Sequence, residues 1–351
     1  MERMVLVLGV SAGAGGARAV LTHSDQPHLP PIDRCRVPRR AGGGVEEAVF
    51  EAIRQMRRSA DRRDELITGT AVTCRCPLHA DAIRAAAGST PLTIVSEPVA
   101  QLRYLRFTGQ LPEDGTVLLY DLGSSGLTIT HSDCRTDSVL SSKRSTVLGG
   151  DGFDALLRWQ LARDGVLTDK ITCRRHREAL SVDRVVTAMD DNSGGRAVLT
   201  RSDIAELCAA GIHHSVSFVH QTIEQTETPP GAIVLLGGCV RSPSIQETLA
   251  ELIDLPMIYD PEPEAVSSRG AVLLATGRPA AELRTTRAKL SDLTPATVDR
   301  RKLIAALAVT AALGATIAGV LAMDRDSSSS HDGTPPTPVE VVGIPPVDSF
   351  R

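Results

Sequence analysis

The residue pattern points to an α/β protein of about 277 residues followed by one transmembrane helix. Three observations carry this reading. Strand-like and helix-like segments alternate as far as residue 277. Glycine-rich turns follow several of the strands. A run of 21 residues from Leu303 to Met323 then contains no charge, proline or aromatic residue.

The elements follow in order. Residues 4–10 form a short apolar run, a glycine-rich turn covers Ser11 to Gly16, and Ala17 to Leu21 is a second strand-like run, so the three read as a hairpin. Residues 45–63 have helical periodicity, with Val45, Val49, Ile53 and Met56 on one side. Thr70 to Cys74 reads as a strand and Ala80 to Ala87 as a helix. Thr116 to Tyr120 reads as a buried strand that enters a second glycine-rich turn, Asp121 to Gly126, before a strand at Leu127 to Thr130. Asp154 to Arg163 and Arg201 to Gln225 read as helices, with Trp159 expected partly buried on the first. Ala232 to Leu236 is a strand broken by Gly237 and Gly238, and a helix follows from Ser244 to Ile253.

Composition excludes several classes. Basic and acidic residues nearly balance, 38 against 42, and 3% of residues are aromatic, so no nucleic-acid partner is expected. Arginine replaces lysine almost everywhere, as in a GC-rich bacterial genome. The lysines are Lys143, Lys170, Lys289 and Lys302, so no lysine chemistry is available before position 143. Seven scattered cysteines make no disulfide framework, and Cys74 and Cys76, expected on one strand face, lack the companions of a zinc site. The paired histidines His213 and His214 and the arginines at 57, 58, 62 and 63 read as surface.

The C-terminal quarter has its own organisation. Residues 278–302 form a basic juxtamembrane linker, and residues 303–323 are long enough as a helix to span a bilayer core of ~30 Å. Residues 324–351 are rich in serine and proline and are expected to be disordered. Arg300, Arg301 and Lys302 precede the span, whereas the tail carries five acidic residues. The positive-inside rule therefore places the N-terminal domain in the cytoplasm and the tail outside a plasma membrane. Ala315 and Gly319 form a small pair four apart that would permit helix dimerisation.

Glycine-rich turns after strands suit phosphate contact, because without a Cβ the backbone N–H groups approach the oxygens. The chain has no P-loop motif, and the turn near Gly9 to Gly16 leads into a strand rather than the helix a dinucleotide fingerprint requires. Five segments occur in one order: Ile94-Val-Ser-Glu-Pro-Val-Ala, Val117-Leu-Leu-Tyr-Asp-Leu-Gly-Ser-Ser-Gly, Leu148-Gly-Gly-Asp-Gly-Phe-Asp, Val234-Leu-Leu-Gly-Gly-Cys-Val-Arg-Ser-Pro and Glu264-Ala-Val-Ser-Ser-Arg-Gly-Ala. In that order they resemble the nucleotide-binding domain of DnaK-type heat-shock chaperones, over about residues 5–277. The resemblance implies a two-lobed actin-like ATPase (ribonuclease H-like) fold over residues 1–277, with ATP or ADP and Mg²⁺ in the cleft.

The same resemblance implies site roles. Asp121 would hold Mg²⁺ through water and position the attacking water, with Glu97 orienting the network. Gly13 belongs to the first phosphate turn, Gly123 and Ser124 to the second, and Gly149 and Gly150 to a loop near the terminal phosphates. Gly237, Gly238 and Arg241 match an adenosine-binding turn, and Arg174, Arg177, Glu178 and Ser181 match an adenosine-facing helix.

Departures from the family pattern temper the expected activity. Ser11 stands where the family has an aspartate, and Gly126 where it has a threonine. The family's catalytic lysine would precede the strand at Ala71, where this chain offers Arg34, Arg36, Arg39 and Arg40 instead. The family's peptide-binding domain is expected to be missing, with the transmembrane span in its place. Each lost catalytic group is worth ~10²–10³ in rate. The expectation is a membrane-anchored, nucleotide-dependent switch or scaffold with weak or absent hydrolysis and an unidentified protein partner. The alternatives are an active chaperone-type ATPase and a nucleotide-free envelope scaffold.

Overall fold

Two five-stranded mixed sheets organise the protein, and they share one strand order. The structure is a computed structural model that describes residues 5–275 apart from Asp191. The first sheet contains β1 (Leu6–Gly13), β2 (Gly16–His23), β3 (Asp33–Pro38), β4 (Ile67–Cys74) and β5 (Thr93–Ser96), in the order β3-β2-β1-β4-β5. The second contains β6 (Thr116–Leu122), β7 (Leu127–Asp133), β8 (Ser138–Ser145), β11 (Ala232–Leu236) and β12 (Met257–Tyr259), in the order β8-β7-β6-β11-β12. In each, three antiparallel strands are extended on the far side of the first by two parallel strands. A separate hairpin pairs β9 (Val185–Met189) with β10 (Arg196–Thr200). This mixed α/β architecture fits the two-lobed expectation.

Strand alternation decides what each face carries. In β1, Leu6, Leu8, Val10 and Ala12 point into a core shared with α1 (Val45–Arg62) and α2 (Pro77–Ala87). Val7, Gly9 and Ser11 take the opposite face. In β6, Leu118, Tyr120 and Leu122 point into the core built with α4 (Gly150–Arg163), α5 (Lys170–Ala179), α6 (Arg201–Glu224) and α7 (Pro243–Leu252). Val117, Leu119 and Asp121 take the other face.

Those other faces are covered by two helices that exchange places. α3 (Glu97–Phe107) leaves the first sheet directly after β5, yet its Leu102 and Leu105 pack on Val117, Leu119, Val234 and Leu236 of the second. α8 (Val266–Leu274) follows the last strand of the second sheet, yet its Val272 packs on Val7 and Val20 of the first. The two helices touch at Gly270, where a Cβ would stand 1.8 Å from the Ala100 carbonyl oxygen. Gly9 serves the same close approach, since a Cβ there would meet the Ser268 carbonyl oxygen at 2.1 Å. Arg269 Nη1 donates to Tyr104 Oη at 2.7 Å across the same seam.

Several expectations need correction. Trp159 is 59% exposed, with Arg163 stacked 4.8 Å from its ring centroid, because α4 turns Phe153, Leu157 and Leu161 inward instead. Cys74 and Cys76 do not share a strand face, since β4 ends at Cys74 and Cys76 caps the start of α2. The sequence reading passed over β3, β8 and the β9–β10 hairpin. β3 and β8 are polar edge strands, and every residue of β8 is exposed or half-exposed, so no apolar alternation marks it. His213 and His214 are exposed, as are Arg57, Arg58, Arg62 and Arg63. The expectations for residues 278–302, 303–323 and 324–351 lie outside the described residues. Among the described residues, no helix is long and apolar enough to cross a membrane.

Gly270→Ala should lower unfolding free energy by at least about 1–3 kcal/mol, because the new methyl meets backbone that cannot give way. Chemical denaturation measures this. A variant as stable as the wild type would show that α3 and α8 separate at little cost.

Candidate functional site

The shared strand order brings equivalent turns together. The β1–β2 turn runs through Gly13 to Gly16, and the β6–β7 turn runs from Gly123 to Gly126. They face one another closely enough that a Cβ on Gly15 would come to 2.5 Å from Ser124 Oγ. A cleft of about 530 Å³ opens around them, a size typical of small-ligand sites. Eight arginine and lysine side chains line it against four carboxylates, so its walls carry a surplus of positive charge.

The second turn is built for backbone contact. Gly123 N–H donates to the Gly126 carbonyl at 3.0 Å and closes it. Gly126 has φ +155°, and a Cβ there would meet the Ser145 carbonyl oxygen at 2.4 Å. A side chain at this position would therefore strain the turn. Gly149 and Gly150 stand behind the turn and do not line the cleft. The N–H groups of Gly150 and Asp151 donate to the carbonyls of Gly123 and Ser124 at 3.0 and 2.7 Å, so the start of α4 buttresses the turn.

Ten of the residues expected at a site line the cleft: Gly13, Glu97, Asp121, Gly123, Ser124, Arg174, Arg177, Glu178, Gly237 and Gly238. Two more do not. Arg241 lies outside the lining and pairs with Glu264, itself a lining residue, at 3.1 Å. Ser181 falls just beyond the end of α5 and also lies outside the lining.

Asp154 holds two of the cations in place. It is fully buried on α4 and accepts from Arg177 Nε at 2.7 Å and from Arg174 Nε at 3.2 Å. Arg174 also pairs with Asp151. Burial works against the charged Arg177, but nearby Cys239 and Asp154 outweigh it and raise its pKa. Sequence reasoning assigned Asp154 no role, though it sits inside a quoted motif. Arg36 on β3 and Glu178 on α5, both in the lining, are joined by two bonds at 2.9 and 3.1 Å. Burial disfavours the Glu178 carboxylate, but Arg36 holds it below its ordinary value. Glu178, expected on an adenosine-facing helix, is thus paired with Arg36, one of the arginines offered in place of the family's lysine.

At the floor of the cleft stands the group that sequence reasoning missed. Arg75, immediately after β4, donates from Nε to Glu97 Oε2 and from Nη2 to Asp121 Oδ2, both at 2.6 Å. Gln101 Nε2 donates to Asp121 Oδ2 at 2.7 Å and to Ser267 Oγ at 3.0 Å, and Ser267 Oγ donates to Glu97 Oε1 at 3.1 Å. Gln101 lies one helical turn after Glu97, a spacing that could have flagged it. Glu97 and Asp121 are 8% and 6% exposed. Burial pushes the Glu97 carboxyl up, while Arg75 pulls it back. Arg75 itself is held above its ordinary value, the two carboxylates outweighing the effect of burial.

Mg²⁺ is expected on Asp121 through water; in this structure Asp121 and Glu97 both bind the Arg75 guanidinium, and among the described residues no group of three His, Cys, Asp or Glu side chains is placed to hold a metal directly. The cation on these two acids comes from Arg75, after β4, while Arg36 and Arg39 from before Ala71 also line the cleft. Arg34 pairs with Glu262 and Arg36 with Glu178.

Comparison with known proteins adds a distant relationship. The chain is 25% identical over 203 residues to the chaperone protein HscA of Salmonella arizonae, covering 54% of this chain and 32% of that protein. It is 28% identical over 205 residues to the HscA homolog of Aeromonas hydrophila subsp. hydrophila, covering 54% and 32%. It is 27% identical over 179 residues to the homolog of Methylococcus capsulatus, covering 46% and 29%. The matched regions span about a third of the length of these relatives. No family model matches the chain.

Asp154→Ala should destabilise the protein by about 3–5 kcal/mol, because it strands two largely buried guanidinium groups without their common acceptor. Denaturant titration reads this directly, and a loss below about 1 kcal/mol would mean that water or Asp151 takes over the pairing.

Proposed function

We propose that the cleft binds a nucleoside polyphosphate, ATP or ADP, and that the protein is a chaperone-like nucleotide switch or scaffold with weak or absent hydrolysis. The observation that carries this is the pair of facing glycine turns ringed by arginines. Backbone N–H groups of such turns cradle phosphate oxygens, and guanidinium forks match them geometrically. The similarity to HscA chaperones and the ordered DnaK-type motifs support the same reading, as does the fit of the two sheets to an actin-like ATPase fold. In this reading residues 1–277 form the nucleotide-binding domain, Arg174 and Arg177 face the ligand, and Arg241 acts from the rim.

Weak hydrolysis follows from what surrounds Asp121. A carboxylate that accepts from Arg75 and Gln101 at once is poorly placed to position an attacking water. Ser11 occupies the place in β1 that Asp121 occupies in β6, two residues before the turn glycine, so the opposite wall supplies a hydroxyl where a second carboxylate would help. The basic linker, the apolar span at 303–323 and the charge asymmetry around it support a single-pass plasma-membrane anchor with the nucleotide domain in the cytoplasm. Nucleotide-driven closure would then be passed to a protein partner at the inner membrane face.

Calorimetric titration of the full chain with ATP and ADP is expected to show binding. Arg18→Ala, which removes a largely buried guanidinium from the lining, should weaken it by about 1.5–3 kcal/mol. No heat at millimolar nucleotide would overturn the switch and leave the envelope scaffold.

Thiol labelling gives an independent reading. Cys76 is half-buried and lines the cleft, whereas burial pushes the Cys74 thiol up to about 11 and the Cys208 thiol up to about 12. A maleimide at neutral pH should modify Cys76 ahead of those two, and saturating ATP should slow that modification. Labelling unaffected by ATP would place the ligand elsewhere.

A further inference from the structure

We propose that Arg75 is the built-in cation of this cleft, so that nucleotide binds without a divalent metal. The inference rests on the nucleotide-binding reading above and specifies how the site handles phosphate charge.

The two carboxylates that would anchor a metal are Asp121 and Glu97, and three of their four oxygens are engaged. Asp121 Oδ2 accepts from Arg75 Nη2 and Gln101 Nε2, Glu97 Oε2 accepts from Arg75 Nε, and Glu97 Oε1 accepts from Ser267 Oγ. The fourth, Asp121 Oδ1, faces Gly237, where a Cβ would come to 2.7 Å of it. Mg²⁺ demands near-octahedral oxygen ligation and keeps several waters, so it needs open carboxylate oxygens and room. A metal here would have to displace a guanidinium bound at 2.6 Å to two acids that are themselves nearly buried, or else sit beside it as a like charge.

The guanidinium supplies what a metal would otherwise bring. Arg75 binds the acids through Nε and Nη2, and its remaining nitrogen, Nη1, lies on the side of the β6–β7 turn, 3.9 Å from where a Cβ would stand on Gly123. One planar group can therefore neutralise the carboxylates on one side and present N–H donors to a phosphate on the other. The cation is held in register from two directions, by β6 through Asp121 and by α3 through Glu97. It is permanently charged, so no change in metal concentration or ordinary pH removes it.

The test is nucleotide titration of the full chain in EDTA and in excess Mg²⁺, with Arg75→Ala and Arg75→Lys beside the wild type. Wild-type affinity is expected to agree within about twofold in the two buffers, as binding without a metal requires. Arg75→Ala should lose about tenfold or more in EDTA and recover part of that loss in Mg²⁺, since it frees both carboxylates. Arg75→Lys keeps the charge without the fork and should fall between them. If the alanine variant does not fold, the lysine variant and the wild-type comparison still decide the matter. Mn²⁺ relaxation of solvent water, measured with nucleotide present, gives a second reading: the wild type should hold no Mn²⁺ beyond what nucleotide alone binds. A wild type that loses tenfold in EDTA, or that holds protein-bound Mn²⁺, overturns the inference while leaving nucleotide binding intact. No binding in either buffer overturns the nucleotide reading itself, and this inference with it.

Discussion

The contact between α3 and α8 is the constraint on which the site depends. Each helix leaves one sheet and covers the other, and they can cross this closely only because Gly270 lies against the backbone of Ala100. That crossing sets Glu97 and Gln101 from one helix beside Ser267 from the other, directly beneath Asp121 at the end of β6. Four side chains from three elements thus meet without any of them lying on a long loop. A polar cluster this buried is tolerable only when its members satisfy one another, and the donors of Arg75 and Gln101 complete it.

Much of this was legible in the residues. The hairpin at the N-terminus, the buried strand ending in Asp121, α1 and α6 all announce themselves through apolar spacing and glycine punctuation. The placement of Gly13, Gly123, Ser124, Gly237 and Gly238 around one cleft follows from their position at strand ends. The polar edge strands β3 and β8 were not legible, since an edge with few buried side chains leaves no period to read. Arg75 was not legible for a different reason. Nothing local distinguishes it from the chain's many other arginines, and its role appears only when the end of β4 in one sheet and the end of β6 in the other face the same cleft, bringing together residues 46 apart in the chain.

The arginine bias of the chain gains physical meaning at this point. A lysine reaches an acid as a point charge, whereas an arginine engages two acids with two nitrogens and keeps a third free. A chain with no lysine before position 143 can still place a cation in its cleft, provided the donor is planar and the acids are spaced to match. The same geometry that secures the cation ties up the carboxylates, so charge neutralisation and water activation, which separate groups could perform together, compete for the same oxygens here.

The repeated strand order divides the cleft into two walls with separate origins. One wall ends in the turn from Gly13 to Gly16, which bears no side-chain hydroxyl and meets a ligand only through its backbone. The other ends in the turn from Gly123 to Gly126, where Ser124 and Ser125 add hydroxyls and Ser124 Oγ lies close enough to the first turn that a Cβ on Gly15 would crowd it. Each turn closes its own hairpin, so a mutation in one leaves the register of the other sheet unchanged. The hydroxyls of one wall can therefore change while the strand pairing that shapes the other stays as it is.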